Sequence, residues 1–226
     1  MNNIAIRLGA ITAVAFGIIW GTPVKATVIG GMVTGGTALT NGGTFVSLPV
    51  PLTGSTPFNT VGDNNFDTNN LYAFNEDQNI VIGGTVVVNI GTNPVAGDIV
   101  ASHYVFFDPG PSRSQTGYVD FDADIYGVIT LTQELADSDF LANTGVIYEN
   151  PGLRGLEAGD SVSIGLDDNG NMRRLFVNWT ASDPGDYVRV LTKESPLANI
   201  PEPGTLALFG LGLLGLGCAR RPRPAA

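Results

Sequence analysis

Residues 118–132 read YVDFDADIYGVITLT. Val119, Phe121, Ala123 and Ile125 alternate with Asp120, Asp122 and Asp124. Successive side chains on a strand point to opposite faces, so a period of two puts the apolar set on one sheet face and the aspartates on the other. The alternation predicts a strand with a solvated acidic face. Neighbouring stretches carry related signals. Residues 79–90, NIVIGGTVVVNI, form two β-branched runs around Gly83-Gly84, where a hairpin turn or bulge is expected. Residues 99–107, IVASHYVFF, are rich in strand formers. Three more strands are read at 161–166, 172–180 and 187–193. Asp167-Asp168-Asn169-Gly170-Asn171 joins the first two as a turn, because Asn-Gly favours positive φ, and Asp183-Pro184-Gly185-Asp186 leads into the third.

Helix signals are sparse. Residues 132–142 predict one short helix, with Thr132 as N-cap and Leu135, Phe140 and Leu141 facing inward. The Gly/Thr-rich stretch from Gly30 to Thr44 reads as a mobile arm or a Gly-interrupted edge strand. Strands at intervals of roughly 8–15 residues with turn residues between them predict a mainly β chain. The expected architecture is an antiparallel β-sandwich, jelly-roll-like.

Composition excludes several function classes. The chain has 226 residues, a formal net charge of −10, one Cys (Cys218) and one His (His103). A disulfide scaffold needs paired Cys. Structural zinc needs Cys/His clusters. Nucleic-acid binding needs a basic footprint, so no nucleic-acid partner is expected. At 43% hydrophobic and 14% charged, the chain is too apolar for an acidic disordered tail.

Both ends read as addresses. Residues 1–26 fit a signal peptide: Arg7, an uncharged apolar stretch from Leu8 to Trp20, then Val24-Lys25-Ala26, with cleavage expected between Ala26 and Thr27. That apolar stretch is shorter than the roughly 20 residues of a spanning helix. At the other end, Pro201-Glu202-Pro203-Gly204 precedes an uncharged run from Thr205 to Ala219 and then Arg220, Arg221 and Arg223. The prolines break any helix running in from the domain, the apolar run can enter a bilayer as a short transmembrane segment, and the arginines favour the cytoplasmic side. These three elements in this order resemble the PEP-CTERM sorting signal of Gram-negative bacteria. The resemblance implies recognition and cutting by exosortase, a membrane transpeptidase-like enzyme. It divides the chain into a signal peptide (1–26), a secreted β-sandwich domain (27–200) and a sorting signal (201–226).

The 27–200 segment holds six cations against twenty carboxylates, a net charge of −14, and no cysteine. A thiol-free chain suits an oxidising envelope. Three of its stretches, His103 to Pro109, Gly152 to Asp160 and Pro184 to Val190, resemble secreted PEP-CTERM proteins known mainly as uncharacterised sequences. That likeness implies no activity.

Candidate chemistry is thin. A Ser/His/Asp site needs an imidazole that reaches a nucleophile and an orienting carboxylate. His103 lies in a strand, and no G-x-S-x-G pattern occurs. A glycosidase needs two carboxyls facing across a sugar-sized cleft, and no motif selects two out of twenty. Asp63, Asn65 and Asp67 place oxygen side chains at alternate positions, like the start of an EF-hand loop. Thr68 stands where the turn glycine belongs and Phe74 where the bidentate Glu belongs, so only a generic calcium loop is retained as a weak metal candidate. Three carboxylates on one straight strand, as at 120–124, do not wrap an ion. Asn178-Trp179-Thr180 fits a glycosylation sequon and receives no function, Trp179 being read as core.

The expectation is a non-enzymatic exported protein with no cofactor, inner-membrane anchored in transit through its C-terminal helix, then cell-surface or extracellular. Its partners are signal peptidase and exosortase during export. The sorting resemblance adds an association with exopolysaccharide or biofilm matrix. A carbohydrate-binding module is the alternative, with Tyr72, Tyr104, Tyr118 and Tyr126 as candidate stacking residues; a secreted hydrolase ranks behind it.

Overall fold

A computed structural model describes residues 26–194. The expected signal peptide, its cleavage residue Ala26 excepted, and the whole sorting segment lie outside this range. Thirteen strands run along the described chain. They are β1 (Val28–Gly35), β2 (Phe45–Ser47), β3 (Thr60–Val61), β4 (Leu71–Asn75), β5 (Ile80–Val81) and β6 (Ile90–Gly91). β7 (Ile99–Phe107), β8 (Arg113–Phe121) and β9 (Ile125–Ile129) follow. The last four are β10 (Ile147–Tyr148), β11 (Ser161–Gly165), β12 (Arg174–Ala181) and β13 (Asp186–Lys193). Two short helices, α1 (Gly36–Thr40) and α2 (Thr132–Asp137), and two 3-10 turns, Asp139–Leu141 and Pro151–Leu153, complete the elements.

The strands build a β-sandwich. One sheet has the order β1-β8-β12-β11, antiparallel throughout. The other has the order β2-β4-β7-β13-β9-β6, with β5 also on β7. Its one parallel pair is β2 with β4. Along β12, Leu175, Val177, Trp179 and Ala181 point inward, and Val119 and Phe121 do so from β8. They meet Leu71, Ala73, Val105, Phe107, Val188 and Val190 of the larger sheet in one apolar cluster.

The larger sheet is covered on its other face as well. Tyr72, Phe74, Tyr104, Phe106, Tyr187 and Leu191 point away from the first cluster into a second. That cluster is closed by Leu48, Leu52, Val61 and Phe66, by Ile82 and Val86, and by Leu135 and Leu141 of the helical segment. The larger sheet is thus a middle layer. Burial on both faces removes alternation, so β4, β7 and β13 read as near-continuous apolar runs. The small sheet keeps one free face, and its strands alternate.

Four expectations need correction. Residues 118–132 are not one strand. β8 belongs to the small sheet and β9 to the large one, and Asp122–Asp124 form the corner between them. The alternation survives because Ala123 turns inward at the corner (1% exposed). The aspartates are not a free solvated face either. Asp120 pairs with Arg174 at 2.7 Å, Asp124 pairs with Arg173 at 3.2 Å and Lys193 at 3.5 Å, and Asp122 accepts the Thr27 N–H at 2.8 Å.

Residues 85–89 are not a strand. Val86 N–H donates to Pro94 O and Val88 N–H to the Asn93 side chain, so these two bond within their own loop, and Asn89 N–H reaches Val128 O of β9. Val88 then packs on Gly127, where an added Cβ would lie 2.5 Å from Val88 Cγ2. The 132–142 helix stops at Asp137, and Leu131 takes the N-cap place with an extended backbone. The Thr132 hydroxyl instead donates to Arg154 O at 2.6 Å. The following 3-10 turn has a shorter period, which keeps Leu141 inward and turns Phe140 out, 62% exposed. The Gly/Thr-rich start forms edge strand β1, as one of its two readings had it, and adds helix α1.

The 167–171 turn forms as read. Asp167 Oδ1 accepts the N–H groups of Asn169 and Asn171, and Gly170 takes φ +80°. Trp179 is core, as expected. It is 1% exposed, stacks on Phe107 at 6.3 Å between centroids, and donates its indole N–H to Gln115 Oε1 at 3.0 Å. Trp179→Ala is expected to lower stability by about 3–5 kcal/mol through the cavity it leaves. Chemical denaturation of the exported protein measures this, and a loss under about 1 kcal/mol would show that the two sheets do not share the core described.

Candidate functional site

The residues singled out in the sequence do not converge. His103 is fully buried on β7, 4.8 Å from the Phe121 ring. Its Nδ1 lies 2.9 Å from Asn75 Oδ1, which also accepts the Val28 N–H. An oxygen already accepting a backbone N–H identifies Nδ1 as the protonated nitrogen. Nε2 then accepts from the Thr192 hydroxyl at 3.0 Å. Burial pulls the imidazole pKa down to about 3. A neutral ring with both nitrogens committed ties β4, β7 and β13 together and has no spare position for a substrate proton.

The calcium candidates hold a loop. Asp63 Oδ1 accepts the Asn64 N–H, and its other oxygen accepts from the Asn150 side chain. Asn65 Oδ1 accepts the Asp63 N–H, while its amide donates to Thr56 O and Glu149. Asp67 takes φ +52° and faces Gly110. These oxygens point at separate partners. Among the described residues no group of three His, Cys, Asp or Glu side chains is placed to hold a metal ion.

The densest polar chemistry lies elsewhere, in the second apolar cluster. Arg189 of β13 and Glu76, one residue past β4, are both buried and pair at 2.7 and 2.9 Å. Glu76 also accepts the hydroxyls of Ser102 and Tyr148, each at 2.6 Å. Arg189 also donates to Leu135 O, Ser138 Oγ and Asp139 Oδ1. Arg154 grips Asp139 through both terminal nitrogens at 3.0 and 2.7 Å. Burial works against the Arg189 charge, but Glu76 outweighs it and holds the guanidinium above its ordinary pKa. Burial, then Glu76, raises the Tyr148 phenol.

An open depression of about 400 Å³, lined in part by Thr27, Asn75, Gln78 and Asn143, reaches Glu76. A carboxylate offers about four acceptor positions. Here four donors fill them. A second depression of about 340 Å³ carries Glu134 and Asp137 beside Phe140. Both acids belong to α2, three residues apart, and stand on one wall. Glycoside hydrolysis needs the pair on opposite sides of the sugar.

Two further acids are buried, Asp108 and Asp186. Asp108 Oδ2 accepts the N–H groups of Asn65 and Phe66. Burial nevertheless pushes its pKa up to about 7. Burial pushes Asp186 up to about 8, with the charges of Asp160 and Glu157 adding to it.

The free face of the small sheet differs from all of these. Register puts Met32, Tyr118, Phe176 and Ser163 in one row across β1, β8, β12 and β11. Met32 is 51% exposed and Phe176 41%. The tyrosines named in the sequence separate here. Tyr72 and Tyr104 are buried, Tyr126 lies near Lys193, and Tyr118 alone stands in this row.

A family model, that of the PEP-CTERM protein-sorting motif, matches residues 199–221. The match holds Pro201, Glu202, Pro203, Arg220 and Arg221. The chain therefore carries a PEP-CTERM protein-sorting motif near its C-terminal end, a motif that points to export and to processing by exosortase. No curated protein and no solved structure matches it. Among the described residues no helix is long and apolar enough to cross a membrane; the apolar stretches at 8–20 and 205–219 lie outside them.

The buried acids give a pH dependence. Asp108 and Asp186 keep their protons in the fold up to about pH 7 and 8, whereas an unfolded Asp loses its proton near pH 4. The folded state then binds more protons, and stability falls as pH rises through that window. His103 acts oppositely, but only between about pH 3 and the ordinary imidazole value near 6.5. Above pH 6.5 the His103 contribution no longer changes with pH. The melting temperature is expected to fall from pH 6.5 to 8.5, and Asp186→Asn to flatten the fall. A flat or rising wild-type profile would contradict the burial of these groups.

Proposed function

We propose that residues 27–200 are a non-enzymatic domain delivered to the cell surface or medium, where it associates with exopolysaccharide or biofilm matrix. The sorting motif at 199–221 is the observation that carries this reading. In transit the domain is anchored to the inner membrane by the 205–219 stretch, and exosortase then removes that stretch. Three features support the absence of an enzyme: Glu76 is saturated by donors, His103 is neutral and committed, and Glu134 and Asp137 share one wall.

Signal peptidase is the second processing partner. Cutting between Ala26 and Thr27 leaves the Thr27 nitrogen, 2.8 Å from the Asp122 carboxylate, as a charged α-ammonium. The new end is then held against the β8–β9 corner by an ion pair. Mass spectrometry of the protein from its producing cell is expected to show Thr27 as the N-terminus and no peptide from Thr205 onward. An intact tail on most molecules in an exosortase-positive cell would overturn the processing account.

A further inference from the structure

We propose that the free face of the small sheet binds an uncharged polysaccharide, with the exposed ring of Phe176 as the stacking surface. This names the contact surface for the matrix association proposed above and rests on that reading. Phe176 reaches toward β11 where that strand has a glycine: a Cβ on Gly165 would be 2.6 Å from Cε2 and 3.1 Å from Cδ2, against the edge of the ring. Phe176 is 41% exposed. Tyr118 braces it edge-on, at 6.4 Å and 64°. Tyr118 is fixed in turn by the Arg174 guanidinium, 3.9 Å from its centroid. Arg174 cannot leave easily, since Asp120 holds it at 2.7 and 2.8 Å and Asp168 at 3.0 Å. The platform is built before any ligand arrives, which removes an ordering cost from binding.

The surroundings select the ligand class. Asn178 and Ser163 are exposed beside the ring and offer hydroxyl and amide groups. Strands about 4.8 Å apart make a row across four of them roughly 14 Å long, the span of a short oligosaccharide. The C–H face of a pyranose suits the negative face of an aromatic ring, and its hydroxyls suit Ser and Asn. Arg174 is neutralised by the aspartates that hold it, while the domain as a whole carries −14. That charge repels a polyanionic polymer. It also repels a second copy, and Met32 with Phe176 supplies little of the apolar core that a stable dimer interface has.

Affinity electrophoresis tests this with exported protein purified from its producing cells. Native gels are cast with hydroxyethyl cellulose, laminarin, dextran or galactomannan, and with alginate as the polyanion. Retardation is expected in at least one neutral gel and not in alginate. Phe176→Ala is expected to weaken it roughly 3- to 10-fold, the size of one lost stacking contact. Phe58→Ala, which removes a ring 67% exposed outside the small sheet, is expected to leave it unchanged. No retardation in any neutral gel, retardation in alginate alone, or retardation that Phe176→Ala keeps would overturn the proposal. So would a concentration-dependent dimer abolished by Phe176→Ala. Co-sedimentation with the cell's own exopolysaccharide separates the two levels. If wild type and Phe176→Ala both co-sediment, the matrix reading stands and this face is wrong; if wild type does not, the matrix reading fails.

Discussion

The fold turns on a charge pair placed where charge is hardest to keep. Arg189 and Glu76 sit inside an apolar cluster, and an ion buried there loses its water at a cost of several kcal/mol. What offsets that cost is completeness. The guanidinium has five N–H groups, and the structure gives it five acceptor contacts: two on Glu76, and one each on Leu135, Ser138 and Asp139. Glu76 is equally filled. The contacts run from β4, β7 and β13 of the middle sheet to β10, α2 and the 3-10 turn that cover it. Helix α2 has six residues, too few to hold its shape alone. The network fixes where it lies.

This placement decides which surface is left for function. With both faces of the large sheet covered, its side chains serve packing, and the polar groups among them serve the network. The same donors that hold Glu76 in place occupy its acceptor positions. Among the described residues the small sheet offers a broad face to solvent, and its row of Met32, Tyr118 and Phe176 is braced from the side by Arg174.

The sequence disclosed the sandwich because β8 and β12 border solvent and therefore alternate. It disclosed β7 and β13 because β-branched and aromatic residues crowd them. It hid the corner at Asp122–Asp124, since alternation passes through a turn unchanged when an alanine points inward there. It hid the third layer because short segments at 48–66 and 82–88 pack without regular periodicity. Arg189 left a readable trace: a cation within the apolar run from Tyr187 to Leu191 needs a buried carboxylate if both strand faces are covered. Nothing local marked Glu76 as that partner, 113 residues away. The three stretches that resembled other secreted proteins hold Asp108, Arg154 and Arg189, which are all buried polar groups. Phe176 was passed over because a ring in an alternating strand shows nothing of its exposure until the glycine beside it is known.

A double-mutant cycle on Glu76→Gln and Arg189→Met, read by denaturant unfolding with amide exchange over 132–141, tests the central claim most directly. Each single change leaves a buried group without its partner and is expected to cost about 3–5 kcal/mol, with exchange at 132–141 rising well before exchange in β8 and β12. The double variant is expected to cost clearly less than the sum of the two. Single costs under about 1 kcal/mol, or strictly additive costs with exchange at 132–141 unchanged, would contradict the account.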